Sequence, residues 1–199
     1  MRLIGNNSII VQSRCAGLYI IPMTEEELQY IAKLSQEYPH SFVRSEEFRG
    51  DITIIIRKGE LFSIMKSLKE WKETVFDYLV DITAVDFLAL VGAERFEVVY
   101  HLYSHLHSRR LRVKVLVPED DPAVPTMVPL WQSAIWMERE TAEMFGIVFV
   151  GHPDLRKLLL PDDFPGHPLR KDYPLEGEGY RSNFPNVKGS RERKSSFLT

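Results

Sequence analysis

Cysteine is almost missing from this chain. Cys15 is the only one among 199 residues, which rules out an intramolecular disulfide and is compatible with a reducing compartment. It also excludes an iron-sulfur cluster held by this chain alone, because such a cluster takes about four cysteines, or two with two histidines. Long hydrophobic runs are lacking as well. Residues 1–22 carry two short ones, Ile9-Ile10-Val11 and Leu18-Tyr19-Ile20-Ile21, interrupted by Gln12, Arg14 and Gly17. Neither is long enough to span a bilayer, and without an unbroken apolar centre a signal peptide is disfavoured. Arg2 and Arg14 are a thin basis for a mitochondrial presequence. Neither sign of charge dominates, the formal net charge being −3 with 27% charged residues. That argues against a nucleic-acid binder built on a large basic excess. No G-x-G-x-x-G follows a strand and no G-x-x-x-x-G-K-[ST] occurs, so neither a dinucleotide turn nor a phosphate-cradling loop is indicated. Gly177-Glu178-Gly179 is a lone G-x-G that reads as a flexible loop.

What is present, 44% hydrophobic residues in a length that suits one compact domain with an extension, is enough to bury a core. Residues 1–22 read as a strand-like N-terminal arm, dispensable because Met23 sits just before a good helix start. Thr24, followed by Glu25, Glu26 and Glu27, opens that helix, which runs to Glu37 with Leu28, Ile31, Ala32 and Leu34 on one side. Strands are expected at 41–45 and 51–57 around the turn Phe48-Arg49-Gly50-Asp51, and a second helix at 61–71 carrying Leu61, Ile64, Met65 and Leu68. A strand at 75–86 follows. Residues 95–104 and 109–117 alternate clearly, Phe96, Val98, Tyr100 and Leu102 facing Leu111, Val113 and Val115, and form the best-defined hairpin. An acidic, proline-rich connection at 118–125 leads to Trp131, Ile135 and Trp136 and into a further helix. The fold class is therefore α+β: a mixed or antiparallel sheet with helices on one side over residues 23–150, then an irregular proline-rich extension, 151–199.

The stretch that organises the chain is 138–174. Gly146 closes the helix and Ile147-Val148-Phe149-Val150 turns extended. Beyond Gly151, His152-Pro153, Pro161, Pro165-Gly166, His167-Pro168 and Tyr173-Pro174 exclude any long regular element. Leu155, Leu158, Leu159 and Leu160 suit a short apolar helix, and Pro165-Gly166 a type II turn. An irregular segment must still satisfy its backbone, so it lies along a surface, its own or a partner's.

Two kinds of chemistry suggest themselves. His152 or His167 could act as general base with Asp162 or Asp163 orienting it, yet no serine or cysteine nucleophile sits in a recognisable elbow; imidazoles pinning backbone carbonyls are the better reading. His101, His105 and His107 cluster near the hairpin end without metal-ligand spacing, and read as a solvated turn. Glu138, Arg139, Glu140 and Glu143 read as an ion-pair network rather than a metal site. Arg156-Lys157 and Arg170-Lys171 could serve the same end or simply form a solvated face, and some partners of the network could lie on another polypeptide. The basic run 188–194, KGSRERK, reads as disordered in isolation, and its interruption by Glu192 weakens any RNA or lipid role.

Glu138-Arg139-Glu140, Glu143, Met144-Phe145, His152, Arg156 and Leu158-Leu159, followed by Gly166, His167, Pro168, Leu169, Arg170, Lys171, Asp172, Tyr173 and Pro174, stand in the order and spacing of a family signature. Over residues 24–176 the chain resembles the 30-kilodalton subunit family of NADH-quinone oxidoreductase, respiratory complex I, whose bacterial members are its C subunits. The resemblance implies a cofactor-free component of the peripheral arm, without an active site of its own. FMN and iron-sulfur clusters lie in partner subunits, and electrons pass from NADH to quinone with proton translocation. It further implies partners that are chiefly the hydrogenase-like large subunit and iron-sulfur subunits, with no nucleic acid and only indirect membrane contact. The expected place is the cytoplasmic side of a bacterial plasma membrane, since mitochondrial members usually carry a different C-terminal continuation and a cleaved presequence; the matrix side of the mitochondrial inner membrane is the alternative. Energy-converting hydrogenases use similar subunits and form the alternative; a free-standing His-dependent hydrolase is the reading from another class.

Overall fold

The computed structural model describes residues 25–72, 75–88 and 94–175. The N-terminal arm, the Thr24 cap, the Gly177-Glu178-Gly179 loop and the basic run 188–194 lie outside the described residues.

Helix α1 (Glu25–Glu37) buries Tyr30, Ile31 and Leu34. Ala32, expected on that side, is exposed; the place goes to Tyr30, one turn before Leu34, whose ring meets Trp71 and Phe76 edge-on at 6.2 and 6.1 Å. Strand β1 (Phe42–Phe48) outruns the expected 41–45 because the hairpin to β2 (Asp51–Arg57) is tight. Arg49 and Gly50, at φ 56° and 84°, supply the two positive-φ positions of a two-residue turn whose twist matches the strands. Helix α2 (Leu61–Glu70) buries the set spaced for it, Leu61, Ile64, Met65 and Leu68. Strands β3 (Tyr78–Asp86), β4 (Phe96–Ser104) and β5 (Arg109–Val117) follow, β4 and β5 forming the expected hairpin. Then come β6 (Ala123–Pro125), α3 (Ala134–Phe145) and β7 (Val148–Val150).

The sheet order is β1-β2-β5-β4-β3, antiparallel throughout except for the parallel pair of β2 with β5. Ile52, Ile54 and Ile56, Val98 and Tyr100, and Val113 and Val115 join Leu34, Ile64, Leu68, Ala134 and Phe145 in one buried cluster, so all three helices cover one face. Each fully buried valine, leucine or isoleucine among them is worth roughly 1.5–3 kcal/mol against exposure. The other face carries mixed cross-strand rows such as Arg44, Ile55, Lys114, Val99 and Thr83, with Lys114 paired to Glu97 at 2.7 Å. At the β3 edge, Trp131 Nε1 donates to Asp77 O at 3.2 Å and Thr141 Oγ1 to Ile82 O at 3.0 Å. These bonds fix α3 against the sheet edge.

Two local expectations are corrected. The connection 118–125 ends in strand β6, which pairs in parallel with β7 from Ala123 with Val148 to Pro125 with Val150. Three residues are too few to show a period, and their partner lies far along the chain. Residues 155–160 are not helical; amides within them go to a side-chain carboxylate instead.

Candidate functional site

The last carbonyls of an α-helix have no partner inside it. In α3 they are taken, four in succession, by a segment some twenty residues downstream. His167 Nδ1 donates to Glu143 O at 2.8 Å, the Leu169 amide to Met144 O at 3.1 Å, and Arg170 Nε to Phe145 O at 2.6 Å and Nη2 to Gly146 O at 3.4 Å. The guanidinium also complements the negative end of the helix dipole. Gly146 sits at φ 72°, and a Cβ there would fall 2.6 Å from the His167 ring and closer still to Arg170. Gly166, at φ 69°, lets Tyr173 pack 3.1 Å from where a Cβ would stand, and the Tyr173 ring stacks on Phe164 at 6.0 Å. Pro168, half-buried, stands in sequence between His167 and Leu169, two of the three residues that cap α3.

Residues 151–175, the strap, are held from the helix side as well. Burial alone would raise the Glu143 carboxyl, but the amides of Leu158 at 2.9 Å, Leu159 at 3.0 Å and Leu160 overcome it and hold the group below the usual carboxylate range. Arg139 donates to Arg156 O at 2.8 Å and Lys157 O at 3.2 Å. Lys157 Nζ gathers Asp162 O at 2.9 Å and Phe164 O at 2.7 Å. Arg156 itself is exposed and forks onto Asp154. Glu140 is exposed and lines a shallow groove with Asp81, Thr83 and Leu169.

The ion-pair network expected among Glu138, Arg139, Glu140 and Glu143 is therefore corrected. An irregular backbone leaves many donors and acceptors open, and charged side chains bind them strongly. Period counting turns every charge toward water, and so misses that Glu138 and Glu143 are buried.

Both strap histidines bind backbone. The His152 side chain is fully buried, Nε2 donating to Ile135 O at 3.1 Å and Nδ1 accepting the Asp154 amide at 3.0 Å. Neither imidazole meets Asp162 or Asp163, so the acid-base dyad is not assembled. His101 lies on the open sheet face, where burial and Arg112 lower its pKa. His105 Nδ1 pairs with Asp77 at 2.9 Å. Among the described residues no three His, Cys, Asp or Glu side chains converge as for a metal.

The model of one family, respiratory-chain NADH dehydrogenase, 30 Kd subunit, matches residues 54–179. This chain belongs to that family. The NADH-quinone oxidoreductase C subunit of Geotalea uraniireducens is 43% identical over 152 residues, 76% of this chain and 90% of the relative. That of Roseiflexus sp. is 41% identical over 157 residues, 78% and 88% respectively. Among solved structures, a trypsin-resistant fragment (1-134) of Nqo5 is 32% identical, covering 64% of this chain and 98% of the fragment at a TM-score of 0.53. A chain of the membrane-bound sulfane sulfur reductase, an archaeal respiratory membrane complex, shares the fold at a TM-score of 0.62 and 22% identity, over 79% and 90% of the two chains.

In this 30-kilodalton family member the end of the strap is locked by groups that the sequence did not advertise. Arg95, with a 7% exposed side chain, meets Asp86 at 3.3 Å, Asp172 at 2.7 Å and Glu119. Burial would lower the Arg95 pKa, and the three carboxylates instead raise it. Asp86 also accepts the Lys171 amide at 2.9 Å and the Leu88 amide at 2.9 Å. Burial works to raise the Asp86 carboxyl; Arg95 and these amides outweigh it and lower it. The guanidiniums of Arg95 and Arg170 lie 4.9 and 5.1 Å from the Phe96 ring centroid. Asp86 had a signal: it keeps phase with Ile82 and Ala84 on the buried face of β3. Arg95 had none: it opened the expected strand out of phase with the apolar Phe96, and β4 itself begins one residue later. Outward, the strap and its surroundings expose several large apolar side chains to water, Trp136, Val148, Val150, Leu155, Leu159 and Leu169.

Proposed function

We propose that this chain is the cofactor-free 30-kilodalton component of the peripheral arm of a NADH-quinone oxidoreductase, and that its contribution is positional. Electrons pass from NADH through FMN and iron-sulfur clusters of other subunits to quinone, coupled to proton translocation, while this chain holds neighbours in register. The domain offers a rigid base, because the strap is fixed to it at both ends and along its length, and ångström-scale placement governs electron transfer and quinone access. The reading rests on one observation above others: the strap's inner side is satisfied by its own domain, while its outer side exposes Leu159 at 60% and Leu169 at 54%. Apolar groups arranged along a braced backbone suit a protein surface. The partners are chiefly the hydrogenase-like large subunit and iron-sulfur subunits, on the cytoplasmic side of a bacterial plasma membrane. No described helix is long and apolar enough to cross a membrane, and contact with the bilayer is indirect.

Leu159→Asp with Leu169→Asp tests this in the native complex. The isolated full chain unfolds at the wild-type midpoint, since both side chains already face water, whereas the purified complex lacks this chain and NADH-driven quinone reduction falls. Normal assembly and turnover would refute the positional role of this face.

A further inference from the structure

Glu138 has 0% exposure, yet among the described residues no arginine or lysine reaches it. Arg139, its neighbour, turns away to the carbonyls of Arg156 and Lys157. Among the described residues the groups facing the carboxyl come from three elements packed against α3. The turn after β6 supplies the Met127 amide to Oε1 at 2.6 Å and Thr126 Oγ1 to Oε2 at 2.5 Å. Strand β4 supplies Tyr100, whose hydroxyl is buried without a hydrogen-bond partner among the described residues and whose pKa is raised, by burial first and then by Glu138. The root of the strap supplies His152, its Nε2 at 4.0 Å from Oε2.

Of these groups only His152 can supply positive charge, and its geometry forbids this while the strap is seated. Nε2 carries the proton donated to Ile135 O, and Nδ1 must stay bare to accept the Asp154 amide. An imidazolium would carry a proton on Nδ1 and expel that amide. Ionised Glu138 thus meets either no countercharge or a countercharge made by breaking the strap's first turn. Leaving a buried charge unpaired is among the costliest local changes a fold can suffer.

We propose that Glu138 is a proton-operated catch for the strap: as the neutral acid it seats the turn from Gly151 to Asp154 against α3, and on ionisation it unseats that turn. The catch is a property of the chain alone and stands whichever neighbour the strap docks. Its working range follows from the site. Burial pushes the Glu138 carboxyl up to about 7 from an ordinary 4.5, against the lowering effect of the Thr126 and Met127 bonds. Between those values the folded chain keeps a proton that the unfolded chain has lost. Stability therefore falls as pH rises through the window and levels off above about 7. Glu143, whose carboxyl is lowered, acts in the opposite sense and only in acid.

The test uses the full-length chain, wild type and Glu138→Gln, in urea unfolding at several pH values from about 5 to 8, which span most of the window and run past its upper end. It adds the carboxyl-carbon NMR shift of Glu138 and the exchange rate of the Asp154 amide, corrected for the intrinsic pH dependence of exchange. In wild type the folding equilibrium constant drops on the order of a hundredfold more across this range than in the glutamine variant. The carboxyl carbon titrates near neutrality, and the Asp154 amide opens with the same midpoint while the Val113 amide in the core does not. Superimposed pH profiles for the two proteins, or a carboxyl titrating in the ordinary range, would overturn the proposal. Should the variant fail to fold, the wild-type titration and exchange rates decide it.

Discussion

Removing the guanidinium of Arg95 strands a carboxylate. Asp86 has a side chain 1% exposed, and in Arg95→Ala it keeps the amides of Leu88 and Lys171 but loses its countercharge. The other two acids matter little, because Glu119 and Asp172 are 62% and 48% exposed and such pairs are worth about 0–1 kcal/mol each. Breaking a buried pair from one side costs about 3–5 kcal/mol. The loss for Arg95→Ala is therefore about 4 kcal/mol, nearly all from Asp86, measured by urea unfolding of the full-length chain. Adding Asp86→Asn removes the stranded charge and restores more than half of that loss, so the two substitutions are far from additive. Exchange of the Lys171 amide accelerates in the single variant, since its acceptor is the stranded group. A loss below about 1 kcal/mol, or a double variant no better than the single, would refute the assignment of Asp86 and Arg95 as the lock.

Glu143→Gln puts one oxygen where two now serve three amides, and costs about 2–3 kcal/mol. Because the Glu143 carboxyl is lowered in the fold, its contribution is present above the ordinary carboxylate range and lost as pH falls through the folded value. Unfolding midpoints taken from about pH 6 down to 3 fall more steeply in wild type than in this variant. Gly146→Ala forces a side chain into positive φ and against His167 and Arg170, costing about 2 kcal/mol or more; thermal unfolding reads this as a drop of several degrees, and an unchanged midpoint would contradict the clasp.

Elements with a strong period were legible in the sequence. The β4–β5 hairpin, the buried set of α2 and the glycine end of α3 follow from alternation, helical spacing and positive φ, which are local properties. The strap was legible as irregular and as needing backbone partners. Its particular bonds were not, because they depend on which carbonyl a distant side chain reaches. His167 and Arg170 capping α3 is invisible until residues 143–146 and 166–170 are placed together. Ala32 and Tyr30 exchanged places for a similar reason, since only Trp71 and Phe76 decide which side of α1 is inward. Strand β6 was lost because three residues carry no period, and Arg95 because nothing near it in sequence marks a buried cation.

The parallel pairing of β2 with β5 orders events during synthesis. Thr53 and Arg112, neighbours across that pair, are 59 residues apart in the chain, and β5 is also the strand that β4 needs. A growing polypeptide that has made β1 through β4 holds two pieces of sheet with no central member between them. Isolated hairpins are marginal in water, and joining distant segments is slow. Until β5 has been made, Ile52, Ile54 and Ile56 have no parallel neighbour, and a nascent chain stalled before Arg109 presents a sticky half-sheet to chaperones.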